Sequence, residues 1–508
     1  MSYLFHYNHF IYFIPEFYFC INILILLVFG LFWYNLSSST KQPILIKNAI
    51  WLLILSASIY ILLLIDSINL QNIFLFDKVL QLNGFYTFTK IFLFIISIIV
   101  LFSSLNYVKN EKINQYEYVV LLSFVIIASI LLINSFNLFS AYMALELQTL
   151  AMYILIAIKR NSEKSLEASI KYLILSAFSS GILLFGLSLI YGISGTLYFD
   201  KINVFFSIYF FEFRNNNIIT HDTYELSGLL FANILIIIGF LFKINAAPFH
   251  IWAPDVYEGS PTSITAYLST ASKIGSIFFL IKLITIPFFP ILFNLDINSN
   301  IFFITAILSL IIGSFGALYQ KRLKRLAAYS TITNIGYILI GLYLIVYGLE
   351  GFQATILYII VYITTSIAFF LILLSLRKTF GVTLLKYITD IKALNIINPI
   401  LALSLTLILL SMAGIPPLAG FFAKLYIFIA AITQEKYFLS LVGILTSAVS
   451  CFYYLRVIKS MYFEKINNYS ILLDIDREKS LILGLILLFI LFFFLCPNVL
   501  LDIIIMSI

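Results

Sequence analysis

Residues 240–254 read FLFKINAAPFHIWAP, and residues 411–426 read SMAGIPPLAGFFAKLY. In each stretch a lysine lies near prolines, within an apolar run of the ~20 residues that one bilayer crossing requires. A proline removes one backbone donor and clashes with the preceding turn. At membrane depth the carbonyls it frees need water or side-chain partners. Pro248 and Pro254 in the first stretch, and Pro416 and Pro417 in the second, therefore predict two broken helices beside cavities. One such interruption in each half of a chain is the pattern of membrane proteins built from inverted repeats.

Working outward, the chain is hydrophobic throughout: 62% of its 508 residues are hydrophobic, 10% are charged, and the mean hydropathy is +1.07. That composition predicts an all-α polytopic membrane protein with no room for a separate soluble catalytic domain. About fourteen spans are expected, near residues 10–34, 44–65, 88–107, 118–136, 138–158, 168–193, 228–246, 261–286, 299–318, 323–348, 353–376, 395–432, 437–458 and 480–505. They group into a three-helix N-terminal segment (1–110), a first five-helix repeat (111–290), an inverted second repeat (291–460) and a C-terminal helix (461–508). Seventh and twelfth spans are the broken ones. Lys and Arg gather in odd-numbered connections, among them the run Lys321, Arg322, Lys324 and Arg325, as topology signals do. The exception follows the seventh span, where Asp255 and Glu258 are expected to cap or steer the loop.

Several functions are excluded. The net charge of +7 sits in short loops, where membrane orientation accounts for it, so no nucleic acid is expected. Cys20, Cys451 and Cys496 form no CxxC pair, which argues against a disulfide framework or an iron–sulfur ligand set. His6, His9, His221 and His250 make no haem site, and neither a strand-borne GxGxxG nor a P-loop occurs. The N-terminus MSYLFHYNHF lacks the marks of a signal or transit peptide. Abundant Phe, Tyr, Ile, Asn and Lys are the residues of A/T-rich codons and point to synthesis within an organelle.

Four ionisable residues lie deep in apolar spans: Glu146, Lys243, Lys273 and Lys424. An ionisable group at mid-membrane costs roughly 2.5–3.5 kcal/mol, so it is expected to line a polar pathway or to meet another charge. Glu146 is read as the only carboxylate central to a span and hence the counter-ion of Lys243. A change in their distance or hydration would change the lysine's affinity for a proton. The competing reading is a static ion pair that fixes helix register. Ser269 and Ser276 are placed on the helical face of Lys273, where hydroxyls can hold water. Lys282, nearer the helix end, is expected to snorkel. Tyr329, Thr331, Thr333 and Tyr337 extend a polar path towards Lys424, although such hydroxyls often bond their own backbone.

The stretches FKINAAPFHIWAPDVYEGSPTSITAYLSTASKIG, LELQTLAMYILIA, LKRLAAYSTITNIGYILIGL and SMAGIPPLAGFFAKLYIF together resemble the subunit 2 family of respiratory complex I, NADH:ubiquinone oxidoreductase, in its mitochondrial form. The resemblance covers roughly residues 115–460 and extends to the Mrp-type cation/proton antiporters. It implies two inverted five-helix repeats and a proton-translocating role carried by Glu146, Lys243, Lys273 and Lys424. It also implies that the chain binds no cofactor, with NADH, FMN, iron–sulfur clusters and ubiquinone held in partner subunits. Implied partners are other membrane-arm subunits, including neighbouring antiporter-like ones, accessory subunits, and lipids such as cardiolipin. The implied location is the mitochondrial inner membrane, with the gene in the organelle. Asn334 departs from the family's common histidine. The remaining alternatives are a free-standing cation/proton antiporter and a scaffold whose buried charges serve assembly.

Overall fold

The computed structural model describes residues 11–36, 42–65, 72–113, 115–215, 222–294, 296–378, 384–464, 475–495, 497 and 500–502. His6, His9, His221 and Cys496, discussed above, lie outside them. Chain order is α1 (Ile14–Leu36), α2 (Gln42–Ile65), a hairpin of β1 (Ile73–Leu75) and β2 (Leu80–Leu82), α3 (Gly84–Asn110), α4 (Glu117–Asn134), α5 (Leu138–Ile156), α6 (Glu163–Ser194) and α7 (Phe199–Asn215). Then come α8 (Asp222–Ile244), α9 (Trp252–Gly259), α10 (Thr262–Ser269), α11 (Ala271–Thr285), α12 (Phe289–Asn294), α13 (Asp296–Leu318), α14 (Leu323–Ile345) and α15 (Leu349–Ser375). The chain closes with α16 (Leu394–Ile397), α17 (Pro399–Ala413), α18 (Ala419–Thr433), α19 (Tyr437–Tyr462) and α20 (Arg477–Phe492).

Among the described residues, thirteen spans are long and apolar enough to cross a membrane, and α17 with α18 supplies the broken one besides. The expected fourteen are thus accounted for. Helix α7 and the hairpin were not anticipated. α7 buries Phe199, Ile202 and Phe206 at helical spacing while Lys201 stays exposed, so its pattern is amphipathic and too polar for a span. The hairpin is only three residues a side, too short for a hydropathy window to register.

The chain divides into two compact units, one of residues up to Phe240 plus Thr270–Phe288, the other of Leu241–Ser269 plus residues from Phe289 on. In the first, α4 packs against α5, α11 against α3 and α4, and α1 against α2 and α4. In the second, α14 lies between α13 and α15, α15 packs on α17 and α18, and α9 and α10 rest on α14 and α15.

The eighth span is interrupted at Thr270, whose φ of −124° and ψ of −82° leave the helical region. No proline or glycine announces this break. A freed carbonyl is met by a side chain instead, Tyr362 Oη donating to the Ser269 oxygen at 3.3 Å, and just past the break Gln148 Nε2 donates to the Ser272 oxygen at 3.0 Å. Satisfying those oxygens is the condition for irregular backbone inside a membrane.

The acidic loop after the seventh span also has an account. Arg325 pairs with Asp255 at 2.6 Å and with Glu258 at 2.7 Å, and Arg322 pairs with Glu258 as well. Lys324 Nζ donates to the Ser260 oxygen at 2.7 Å. The two carboxylates therefore neutralise part of the Lys321–Arg325 run within one charged layer, and the exception to the basic-loop pattern is charge pairing.

Candidate functional site

Both broken helices stop in the same way. At the end of α8, Asn245 takes φ +69°, the Ala246 N–H donates to the Leu241 oxygen at 3.0 Å, and the Asn245 N–H donates to the Phe242 oxygen at 3.3 Å. At the end of α17, Gly414 takes φ +87°, the Ile415 N–H donates to the Leu410 oxygen at 3.1 Å, and the Gly414 N–H donates to the Ser411 oxygen at 3.0 Å. Each is a Schellman stop, with a left-handed residue of the type that tolerates it and proline just beyond. Pro248 and the Pro416–Pro417 pair lie in the interruptions. Pro254 does not; it stands in the first turn of α9, where a missing N–H leaves no helical bond unmade.

In the second unit the lysines occupy different sides of these stops. Lys243 is in the last turn of α8, before the break, where Trp252 Nε1 closes back on the Phe242 oxygen at 3.1 Å. Lys424 is in α18, after the break, and its Nζ donates to the oxygens of Met412 (3.1 Å) and Ala413 (2.8 Å) at the end of α17. An ammonium at a helix C-terminus is favoured by the local dipole and satisfies orphan carbonyls. Its Nζ also lies 5.2 Å from the centre of the Tyr337 ring. A cavity of about 20 Å³ borders Lys424, Asn334, Tyr358, Tyr362, Thr365 and Ser411. That is room for one or two waters, each filling roughly 10–15 Å³ on this measure. Tyr358 Oη donates to Asn334 Oδ1 at 3.0 Å, so the position without histidine still carries a polar link.

In the first unit, Lys273 lies one turn beyond the Thr270 interruption and is 2% exposed. Gln148 on α5 reaches the carbonyl beside it, two residues along from Glu146. Ser129 packs so closely on Gly275 that an added Cβ would lie 3.1 Å from the serine Cβ. Glu146 itself is half-buried, and its Oε1 has no hydrogen-bond partner among the described residues. Glu146 thus belongs to the first unit and Lys243 to the second.

The hydroxyls expected to carry the path mostly serve the backbone. Ser269 donates to Ala266 (2.9 Å), Ser276 to Lys273 (3.1 Å), Thr331 to Ala328 (2.7 Å) and Thr333 to Ser330 (2.8 Å). The Thr270 break also separates Ser269 from the helix of Lys273, so the shared face expected for them does not form. Tyr329 is half-buried, its ring covering Gly316 where an added Cβ would meet it at 2.5 Å. Tyr337 hydrogen-bonds the backbone of another helix, donating to the Gly443 oxygen at 3.1 Å. Lys282 does not snorkel: it is 2% exposed, because its Nζ donates to the Ile133 oxygen and faces two aromatic rings.

Sequence reasoning missed Tyr358, Tyr362, Gln148 and Asn245, as well as a buried ion pair between Glu16 and Lys90. The last was signalled, since both residues fall inside predicted spans.

Comparison with known proteins places this arrangement in a class. Residues 135–452 match the family described as NADH:quinone oxidoreductase/Mrp antiporter, TM, and the chain belongs to that family. It is 40% identical to NADH-ubiquinone oxidoreductase chain 2 of Marchantia polymorpha over 95% of each chain, and 38% identical to that of Oenothera berteroana over 97% of each. Subunit N of the NADH-quinone oxidoreductase of Pelagibacter ubique is 38% identical, again over 97% of each chain. The fold is shared with a chain of respiratory complex I from Thermus thermophilus, with a TM-score of 0.76 at 21% identity over 96% of this chain and 98% of that one. A chain of the Mrp complex from Dietzia sp. has it too, with a TM-score of 0.75 at 18% identity over 97% and 96%.

Proposed function

We propose that this chain is a proton-translocating membrane-arm subunit of respiratory complex I, in which Glu146, Lys243, Lys273 and Lys424 carry the proton. One observation supports this above others: a chain 40% identical along 95% of its length to an NADH-ubiquinone oxidoreductase chain 2 keeps a lysine beside each of two matching helix stops. NADH oxidation and ubiquinone reduction occur in partner subunits, which hold FMN and the iron–sulfur clusters; this chain binds no cofactor of its own. Other membrane-arm subunits, accessory subunits and lipids such as cardiolipin surround it.

The matching stops favour the division into two repeats, 111–290 and 291–460, between an N-terminal segment (1–110) and a C-terminal helix (461–508). Glu146 acts as counter-ion to Lys243, so a change at that pair alters the lysine's hold on its proton. Lys273 passes the proton on, and Lys424 exchanges it with water in the small cavity beside Tyr358 and Tyr362. Tyr337 orients Lys424; Ser269, Ser276, Tyr329, Thr331 and Thr333 shape the helices. The site of action is the mitochondrial inner membrane, in keeping with the plant relatives, and the A/T-rich residue bias suits a gene in the organelle.

The test has two stages. Native electrophoresis of mildly solubilised membranes, with an NADH-oxidation stain and mass spectrometry of each band, should find this chain in the large active band. Recovery solely in a small inactive band would favour a cation/proton antiporter, checked by sodium- or potassium-coupled proton exchange. Lys243→Met should then lower proton pumping per NADH in assembled complex, and undiminished pumping would sink the relay.

A further inference from the structure

A second set of buried ionisable groups lies in the first unit, away from the relay. Glu16 and Lys90 are each 1% exposed and pair at 2.8 Å. The same carboxylate oxygen, Oε1, accepts from Asn134 Nδ2 at 3.1 Å and from Tyr60 Oη at 3.3 Å. Next along the backbone, the Ile133 oxygen accepts from Lys282 Nζ at 3.3 Å, with the Tyr86 and Phe136 ring centres 4.0 and 5.5 Å from that ammonium. Among the described residues Lys282 meets a carbonyl and two rings but no carboxylate. One carboxylate thus stands against two amines, and it can balance only one of them.

Two acceptors are left over. Glu16 Oε2 and Asn134 Oδ1 are buried without a hydrogen-bond partner among the described residues, and Asn134 is 0% exposed. A buried acceptor left without a donor is destabilising. Protonating Glu16 would satisfy one acceptor but leave both amines without a counter-charge. A neutral donor fits both requirements, and water is the one small enough.

The groups share one end of the helices. Glu16 is in the first turn of α1, Asn134 is the last residue of α4, Lys282 is in the last turn of α11, and Lys90 is about 9 Å into α3 at 1.5 Å per residue. The β1–β2 hairpin covers that end. Its Leu75, Leu80 and Leu82 pack on Phe13, and Phe74 packs on Phe136 with ring centres 4.9 Å apart. Gln81 pairs across the strands with Phe74 and so lies on the same face of the hairpin. Its Oε1 is another buried acceptor without a partner.

We propose that Glu16, Lys90 and Lys282 form a second proton-holding site, hydrated between Glu16 and Asn134, in which Lys282 takes up and releases a proton under the hairpin. Lys90 and Glu16 stay paired as ammonium and carboxylate. Lys282 releases its proton by way of the bound water to solvent beyond the hairpin and becomes a neutral amine; with that proton gone the cluster passes from one net positive charge to neutrality, and uptake of a proton from solvent reverses the step. The inference rests on the proton-translocating reading, and the test separates the two.

Lys282→Arg keeps a cation that does not deprotonate in proteins, whereas Lys282→Met removes it. In complex assembled in membranes carrying either substitution, NADH oxidation should continue with a loss of protons pumped per NADH. A wild-type ratio for Lys282→Arg would overturn the site, since a static cation would be all that is needed. Lys243→Met, measured alongside, makes the distinction: loss there with none in Lys282→Arg ends this inference alone, and loss in neither ends the relay as well. Should neither Lys282 variant assemble, a density map of the native complex fine enough to show ordered water decides. Water bridging Glu16 and Asn134 upholds the site, and a dry gap overturns it.

Discussion

Lys424 Nζ lies 2.8 Å from the carbonyl oxygen of Ala413, the last residue of the helix that precedes its own. The charged end of one half-helix thereby completes the backbone of the other. A proton lost from Lys424 weakens the cap, so protonation and the geometry of the break are coupled. Lys424→Met should therefore lower pumping per NADH and also destabilise the break, leaving two carbonyls short of a donor at about 1–3 kcal/mol each. The pumping ratio and the amount of assembled complex on native gels read the two effects separately. Normal pumping by fully assembled Lys424→Met would remove the residue from the route.

Gly414→Ala should be harmful out of proportion to its size. A left-handed residue with a Cβ costs about 1–2 kcal/mol, and the added carbon would lie 3.0 Å from Lys424 Cδ. Asn245→Gly keeps the required φ and gives up only a 3.5 Å contact with Tyr257, so it should be mild. Residual in-gel NADH oxidation after stepwise heating should rank the two in that order.

Tyr358→Phe deletes the donor to Asn334 Oδ1 on the rim of the Lys424 cavity. Its stability cost should be about 0.5–1.5 kcal/mol. If the cavity water serves proton exchange, pumping should fall more than assembly does. A parallel fall of both would assign the tyrosine to packing.

Arg325→Lys should loosen the charged layer, because one ammonium cannot span both Asp255 and Glu258 as the guanidinium fork does. The Arg325 side chain is 38% exposed, which holds the loss to about 1 kcal/mol or less. The complex should dissociate at lower salt than wild type, read by native electrophoresis across an ionic-strength series.

Acid sensitivity should localise in part to Asp390, in the connection between α15 and α17. Burial works to raise its pKa, but donation from the Tyr387 and Lys386 N–H groups and the Lys378 ammonium outweighs it, holding the carboxyl below its usual range. A depressed folded value means stability that is present above the unfolded pKa and lost as pH falls through the folded one. The difference in melting temperature between wild type and Asp390→Asn should be largest near neutrality and shrink as pH drops through the acidic range. A difference constant with pH would contradict this.

What the sequence made legible followed from chemistry visible in one dimension. Lysines inside apolar runs, prolines at mid-span and left-over acids among basic loops each marked a feature that the structure contains. The Thr270 break was illegible because nothing local causes it; Tyr362, far away in sequence, makes it tolerable. Ser269 was misplaced for the same reason, since a helical face is a useful ruler only while the helix continues, whereas Ser276 keeps its place on the helix of Lys273. Pro254 misled in the opposite way, its first-turn position being invisible until the start of α9 is known. Glu16 and Lys90 were readable by the rule that picked out Glu146, but their pairing was not, because the partners are 74 residues apart.

Asn245 and Gly414 close two helix stops that share the same pair of Schellman bonds, while the surrounding letters have little else in common. If the halves descend from one duplicated ancestor, selection has preserved a hydrogen-bond diagram while the alphabet around it drifted. A positive-φ residue followed within three positions by proline, inside an apolar run that also holds a lysine, is then a more durable mark of shared descent than percentage identity, and one that can be sought in chains too diverged to align.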